Sequence, residues 1–201
     1  MSATEASPIR LRRLATAGSW IALVPLLLLA VQFRSVAAPQ PVSREYQIKA
    51  VFLFNFAQFT EWPTNTFTST NAPIVIGVMG IDPFGRLLDE TVHNESINGH
   101  KLVVERYRRV EEIGTCHILF ISQSENRRVE RILDHLKGKP VLTVGDMDAS
   151  VGHDVAIRFF EENNKLRIHI NTNAVAQAHL TLSSKLLRAA GIGPSPSGKA
   201  P

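Results

Sequence analysis

The sequence predicts an α/β fold, with a mostly parallel sheet covered by helices on both faces and a C-terminal antiparallel hairpin and closing helix. Three observations predict it. Ile74-Val75-Ile76-Gly77-Val78-Met79, Cys116-His117-Ile118-Leu119-Phe120-Ile121 and Pro140-Val141-Leu142-Thr143-Val144-Gly145 are apolar runs without polar alternation, as strands buried on both faces are. Helical stretches separate them, the pattern of strand-helix-strand units. Near the end, Leu166-Arg167-Ile168-His169-Ile170 alternates apolar with polar, which suits a half-exposed antiparallel edge.

Residues 1–38 are expected to be an export signal. Arg10, Arg12 and Arg13 precede an apolar run from Leu14 to Phe33, and Ser35-Val36-Ala37-Ala38 supplies small residues for cleavage near Ala38. The rival reading is an uncut anchor, because an apolar run of about 20 residues can span a bilayer core. Pro25 within the run and Pro39-Gln40-Pro41 after it favour cleavage. The folded body, residues 39–190, is then expected outside the cytoplasm as a single domain. Residues 191–201 include Gly193-Pro194-Ser195-Pro196-Ser197-Gly198, a composition that predicts a disordered tail.

Ser43 to Trp62 predicts the first helix, capped by Ser43 and stopped by Pro63. Its apolar residues point to more than one side of the wheel, so it must be covered on more than one side. Thr64 to Ala72 is a polar connection. After the strand Ile74–Met79, Asp82-Pro83 is expected to start a helix running through Arg86-Leu87-Leu88, with Asp82 as its cap. Asn98-Gly99 is a turn before the strand Lys101–Glu105, and a charged helix over Ser124–Lys137 stops at Gly138. Val155–Phe159 and Leu166–Ile170 flank Glu161–Lys165 as a hairpin, and Ala174–Ala190 is the closing helix, stopped by Gly191.

Charge and composition narrow the function. The 201 residues carry a net charge of +4, but Arg10, Arg12, Arg13 and Arg34 sit in the leader against Glu5 alone. From residue 39 onward 18 basic residues face 17 acidic ones, unlike the dense basic face of a nucleic-acid binder. Cys116 is the single cysteine, so an exported chain gains no internal disulfide and must hold together by packing. The thiol, in an apolar run, is read as a small buried hydrophobe.

Catalysis has no visible seat. The seven histidines lack the close spacings of a zinc site, and no G-x-S-x-G elbow occurs. The adjacent pair His153-Asp154 is read as a turn. Loops leaving the carboxyl ends of parallel strands are where open α/β sheets bind ligands, which makes Asp82, Ser122 and Asp146 the candidate residues of a small-ligand site. No cofactor is implied.

The segment Tyr46-Gln47-Ile48-Lys49-Ala50-Val51-Phe52-Leu53-Phe54-Asn55-Phe56-Ala57-Gln58-Phe59-Thr60-Glu61-Trp62-Pro63 resembles the opening K-A-x-F-L-x-N-F-x-x-F-x-x-W-P of the YfiR family of exported bacterial proteins. Asp82-Pro83-Phe84-Gly85, Ile118–Ile121, Val141–Asp146, Ile170–Ala174 and Leu182–Leu187 look like later blocks of that family, in order, over about residues 45–190. The resemblance implies a periplasmic regulator and not an enzyme. It implies a repressor that binds the extracytoplasmic region of an inner-membrane diguanylate cyclase, or a related sensor, and lowers cyclic-di-GMP signalling. It implies an outer-membrane lipoprotein as a further partner. A homodimer is a further expectation for the first helix. The family carries cysteine pairs tied to envelope redox state, which Cys116 alone cannot reproduce. For such a repressor Phe54, Phe59 and Trp62 are the candidate apolar anchors of the partner contact. The alternative reading is a periplasmic small-ligand binder using the strand-end loops.

Overall fold

Ser43 opens the fold as expected, its hydroxyl accepting the Tyr46 N–H at 3.5 Å at the start of helix α1 (Arg44–Phe59). The computed structural model describes residues 42–147, 150–152 and 154–190. The expected leader, residues 1–38, and the expected tail, 191–201, lie outside the described residues.

Helix α1 ends three residues before the expected Trp62. Thr60 leaves it as strand β1 (Thr60–Glu61), which pairs antiparallel with β9 (Thr181–Leu182), Thr60 opposite Leu182. The Ser183 N–H donates to the Phe59 carbonyl at 2.9 Å. One of the open carbonyls at the helix end is thus satisfied by chain more than a hundred residues away, a contact no local pattern announces.

The main sheet contains β2 (Ile74–Met79), β3 (Ser96–Ile97), β4 (His100–Tyr107), β5 (Ile118–Ile121), β6 (Leu142–Gly145), β7 (Ile157–Glu162) and β8 (Lys165–Ile170). Their spatial order among the described residues is β3-β4-β2-β5-β6-β7-β8. The strands from β4 to β7 are parallel to their neighbours, while β3 and β8 are antiparallel to theirs. The sheet is therefore mixed, which corrects the expectation of a mostly parallel one. The reason is local, because each edge strand is joined to its neighbour by two residues, and a two-residue turn can make only an antiparallel pair. Asn98-Gly99 and Asn163-Asn164 all have positive φ, between 52° and 87°, the backbone that a tight right-twisted hairpin requires.

Alternation along the strands divides the core. Ile76, Val78, Ile118, Phe120, Leu142 and Val144 pack in one cluster with Leu53 and Phe56 of α1. Met79, Leu119 and Ile121 pack in another with Ile132 and Leu136, which belong to helix α3 (Val129–Leu136). Successive side chains of a strand point to opposite faces, so these two clusters are separated by the strands themselves.

Three further helix boundaries depart from expectation. Helix α2 (Arg86–Val92) begins after Gly85, and Asp82 caps the preceding turn instead, accepting the Phe84 N–H at 2.7 Å. The charged stretch expected as one helix from Ser124 divides into a 3₁₀ turn, Gln123–Arg128, and α3. The single closing helix is replaced by α4 (Thr172–Gln177), β9 and α5 (Ser184–Ala189). His179 at φ 57° ends α4, Leu180 turns into the core, and β9 has its partner in β1. Strand pairing and burial of Leu180 and Leu182 outweigh continuous helix there.

Candidate functional site

Strands β5 and β6 run parallel and end side by side, Ile121 opposite Gly145. The chain leaves β5 through Ser122, whose hydroxyl accepts the Ser124 N–H at 3.4 Å, and leaves β6 through Asp146, whose N–H donates to the Ile121 carbonyl at 3.2 Å. Asp146 is thereby held at the carboxyl end of the sheet, only 4% exposed.

From α1, Lys49 descends onto it. Lys49 is 1% exposed, and its Nζ donates to Asp146 Oδ1 and to Glu45 Oε1, each at 2.5 Å. The Tyr46 hydroxyl donates to the other oxygen, Asp146 Oδ2, at 2.7 Å. Burial, then that hydrogen bond and the carboxylate's charge, raise the Tyr46 hydroxyl well above its usual range, so it remains a donor. The ammonium also lies 4.6 Å from the centre of the Tyr46 ring and 5.6 Å from that of Phe159, a favourable face for a cation. Lys49 had no place among the residues singled out from the sequence. Its signal was its position, one turn before Leu53 and two before Phe56 and Ala57, on the face that is buried.

Glu45, Lys49 and Asp146 of this network line a cleft of about 1000 Å³. Arg44, Ile48, Arg158, Phe160, Lys165 and Leu166 are among its other walls. Of the three residues proposed for a small ligand, Asp146 lines the cleft. Ser122 is buried with its hydroxyl engaged in the turn. Asp82 lines a separate depression, where Arg106 grips its carboxylate at 2.7 Å, Asp89 at 2.5 Å and the Gly85 carbonyl at 2.7 Å. That arginine holds the Asp89 carboxyl below its ordinary range.

The proposed partner anchors lie elsewhere. Phe54, Phe59 and Trp62 are half-buried against the core cluster that holds Leu53 and Phe56. The freely exposed apolar residues of α1 are Ile48, 41% exposed, and Val51, 51% exposed. These sit three residues apart and so share one helix face. Beyond β2, Ile81 is 74% exposed, its N–H held by the Ser124 hydroxyl at 2.9 Å.

At the other end of β5, His117 is fully buried. Its Nδ1 accepts the Val75 N–H at 3.0 Å, and Phe67 stacks between its ring and that of His100. Desolvation, with His100 nearby, pushes its pKa down to about 4. Burial likewise pushes the Cys116 thiol up to about 12. No group of three or more metal-ligating side chains is placed to hold a metal among the described residues. His153 and Asp148 lie outside them.

A model of the YfiR/HmsC-like family matches residues 46–191. The chain belongs to the YfiR/HmsC-like family. No curated protein matches the sequence. The family match begins in the first turn of α1 and runs past α5. Every side chain of the Lys49 network except Glu45, both exposed apolar residues of α1 and all strands of the main sheet therefore lie within the YfiR/HmsC-like region.

Proposed function

We propose that this protein is an exported regulator that binds the extracytoplasmic region of an inner-membrane diguanylate cyclase, or a related membrane sensor, and lowers cyclic-di-GMP signalling. The observation that carries the reading is the YfiR/HmsC-like match over 146 consecutive residues, 46–191. The reading is regulatory and not catalytic, and its site of action is the periplasm, reached through the leader read in residues 1–38.

A repressor works by binding the inactive state of its target more tightly than the active one, since equal affinity shifts nothing. Reversing a hundredfold preference for the active state takes a differential of roughly 10⁴. Buried apolar anchors are the usual source of such affinity. Helix α1 offers Ile48 and Val51 directly. Phe54, Phe59 and Trp62, half-buried against the core, contribute where the contact spreads toward the core edge. An outer-membrane lipoprotein that covered the same face would relieve the repression by competition, and a second copy of the chain could cover it as a homodimer.

The test is affinity capture with the tagged full chain from detergent-solubilised envelope of its own cell. Recovery of a membrane diguanylate cyclase or sensor by wild type, and its loss in the double variant Ile48→Ser, Val51→Ser with unchanged melting, is the expected result. Recovery of the same partner by the folded variant would remove α1 from the interface.

A further inference from the structure

Strand β8 stands at one end of the sheet order and is bonded to β7 alone among the described strands. Its outer edge is open. Glu162 and Lys165 close the two-residue turn between β7 and β8. Such a closing pair exchanges its N–H and C=O bonds, and so does every second pair after it. Lys165, Arg167 and His169 therefore direct their backbone groups to β7, while Leu166 and Ile168 direct theirs away from the sheet. Among the described residues no backbone group reaches Leu166 or Ile168 from that outer side. A row of unpaired donors and acceptors is a template for an added strand.

The two sides of that edge differ in character. Phe159 packs against Phe52 and Phe56 of α1, and Ile168 stands opposite Phe159. Leu166 and Ile168 thus point to the α1 side, where half-buried Leu166 and exposed Ile48 line one cleft. The alternate side chains point to the other side. There Lys165, Arg167 and His169 are all exposed, opposite Glu162, Phe160 and Arg158 of β7. Glu162 is the one acid among these six, and its 3.7 Å contact with Arg167, between two exposed groups, holds that arginine weakly.

These charges select the occupant. Two copies of β8 laid edge to edge would bring one basic row against another, and like charges across a strand pair repel. A strand that alternates acidic with apolar residues meets both sides at once. Its acids face Lys165, Arg167 and His169, and its apolar residues face Leu166.

We infer that the open edge of β8 receives an extended, alternately acidic and apolar segment of a partner protein as an added strand. This goes beyond the regulator reading and does not depend on it, because a synthetic peptide replaces the partner in the test.

The probe is the peptide Gly-Val-Glu-Val-Glu-Val-Glu-Val-Gly, labelled with fluorescein, titrated with the full chain and followed by fluorescence anisotropy. Its binding saturates, and the same peptide with Lys in place of each Glu does not bind. Two further peptides carry methyl groups on the backbone nitrogens of every Val or of every Glu. One of these sets must face β8, so at least one of the two peptides loses about tenfold or more in affinity. Lys165→Glu with Arg167→Glu, at two exposed positions, melts as wild type does, weakens the acidic peptide at least about tenfold and binds the Lys peptide instead. If that variant melts early, Lys165→Gln with Arg167→Gln serves in its place, with the same loss of the acidic peptide. Absence of saturable binding, full affinity in both methylated peptides, or full affinity in the folded variant would overturn the inference. So would a wild-type dimer in sedimentation that the folded variant abolishes, which assigns the edge to a second copy.

Discussion

Lys49 and Asp146, 97 residues apart in the chain, form an ion pair at 2.5 Å in which neither side chain is more than 6% exposed. Removing one partner strands the other charge out of water. Lys49→Met and Asp146→Leu should each cost about 3 kcal/mol of unfolding free energy. The triple variant with Tyr46→Phe, which leaves only the half-exposed Glu45 of the network, should recover most of that loss. Urea denaturation at constant m-value measures all three, and single variants as stable as wild type would contradict a buried pair.

Ile48 and Val51 differ from Phe54 and Phe59 in what they are bound to. Substituting the first two with Ser should change melting little, since both already face solvent. Phe54→Ser and Phe59→Ser, removing rings packed on the core, should each cost about 2 kcal/mol. Thermal melts of the four variants separate the two classes.

How much of this was legible follows from where each residue finds its partner. Strand β2 reads directly as Ile74–Met79, because a bounded run of six apolar, largely β-branched residues has the length and composition of a buried strand. The second hairpin reads almost as directly, since the alternation over Leu166–Ile170 identifies the edge and Asn163-Asn164 can take positive φ. The end of α1 was not legible, because Thr60 answers to Leu182 and not to its neighbours. Asp146 was singled out by its position after β6. Its partner was not, since a lysine in a helix ordinarily reads as solvent-facing; only its spacing to Leu53 and Phe56 marks Lys49 as inward. The exposed pair Ile48 and Val51 was hidden by a helix apolar on several sides, where composition does not say which side stays uncovered.

His117 makes stability depend on pH. Folded, its pKa is lowered to about 4 by burial, whereas the unfolded side chain titrates near 6.5. Between those values the unfolded state holds the extra proton, so stability is full above pH 6.5 and falls with acidification until about pH 4. The slope is at most about 1.4 kcal/mol per pH unit and the total roughly 3 kcal/mol. His117→Asn keeps an acceptor for the Val75 N–H and should flatten this part of the profile, read by urea unfolding at pH 7 and pH 4.5. An unchanged profile in the variant would assign the acid sensitivity to other groups.

Cys116 should be inert while the protein is folded. Burial pushes its thiol up to about 12, and the residue is 5% exposed; the thiolate is the reactive form. Labelling by 5,5′-dithiobis(2-nitrobenzoate) should therefore track global unfolding. Rapid labelling of the native protein would reveal an open path to the sulfur.

Gly77 faces Tyr107 and Cys116 at the centre of the sheet. A Cβ there would lie 2.6 Å from the Tyr107 ring and 2.9 Å from the Cys116 sulfur. Gly77→Ala should cost about 2 kcal/mol through overpacking, and the pair Gly77→Ala with Tyr107→Leu should regain part of it. Denaturation of both variants checks this.

The central claim is that the chain restrains a membrane diguanylate cyclase. Its most direct test is the cyclic-di-GMP content of cells lacking the gene, measured by mass spectrometry. The account predicts a rise on deletion, reversed by the wild-type chain and not by the folded Ile48→Ser, Val51→Ser variant. Unchanged cyclic-di-GMP on deletion would contradict it.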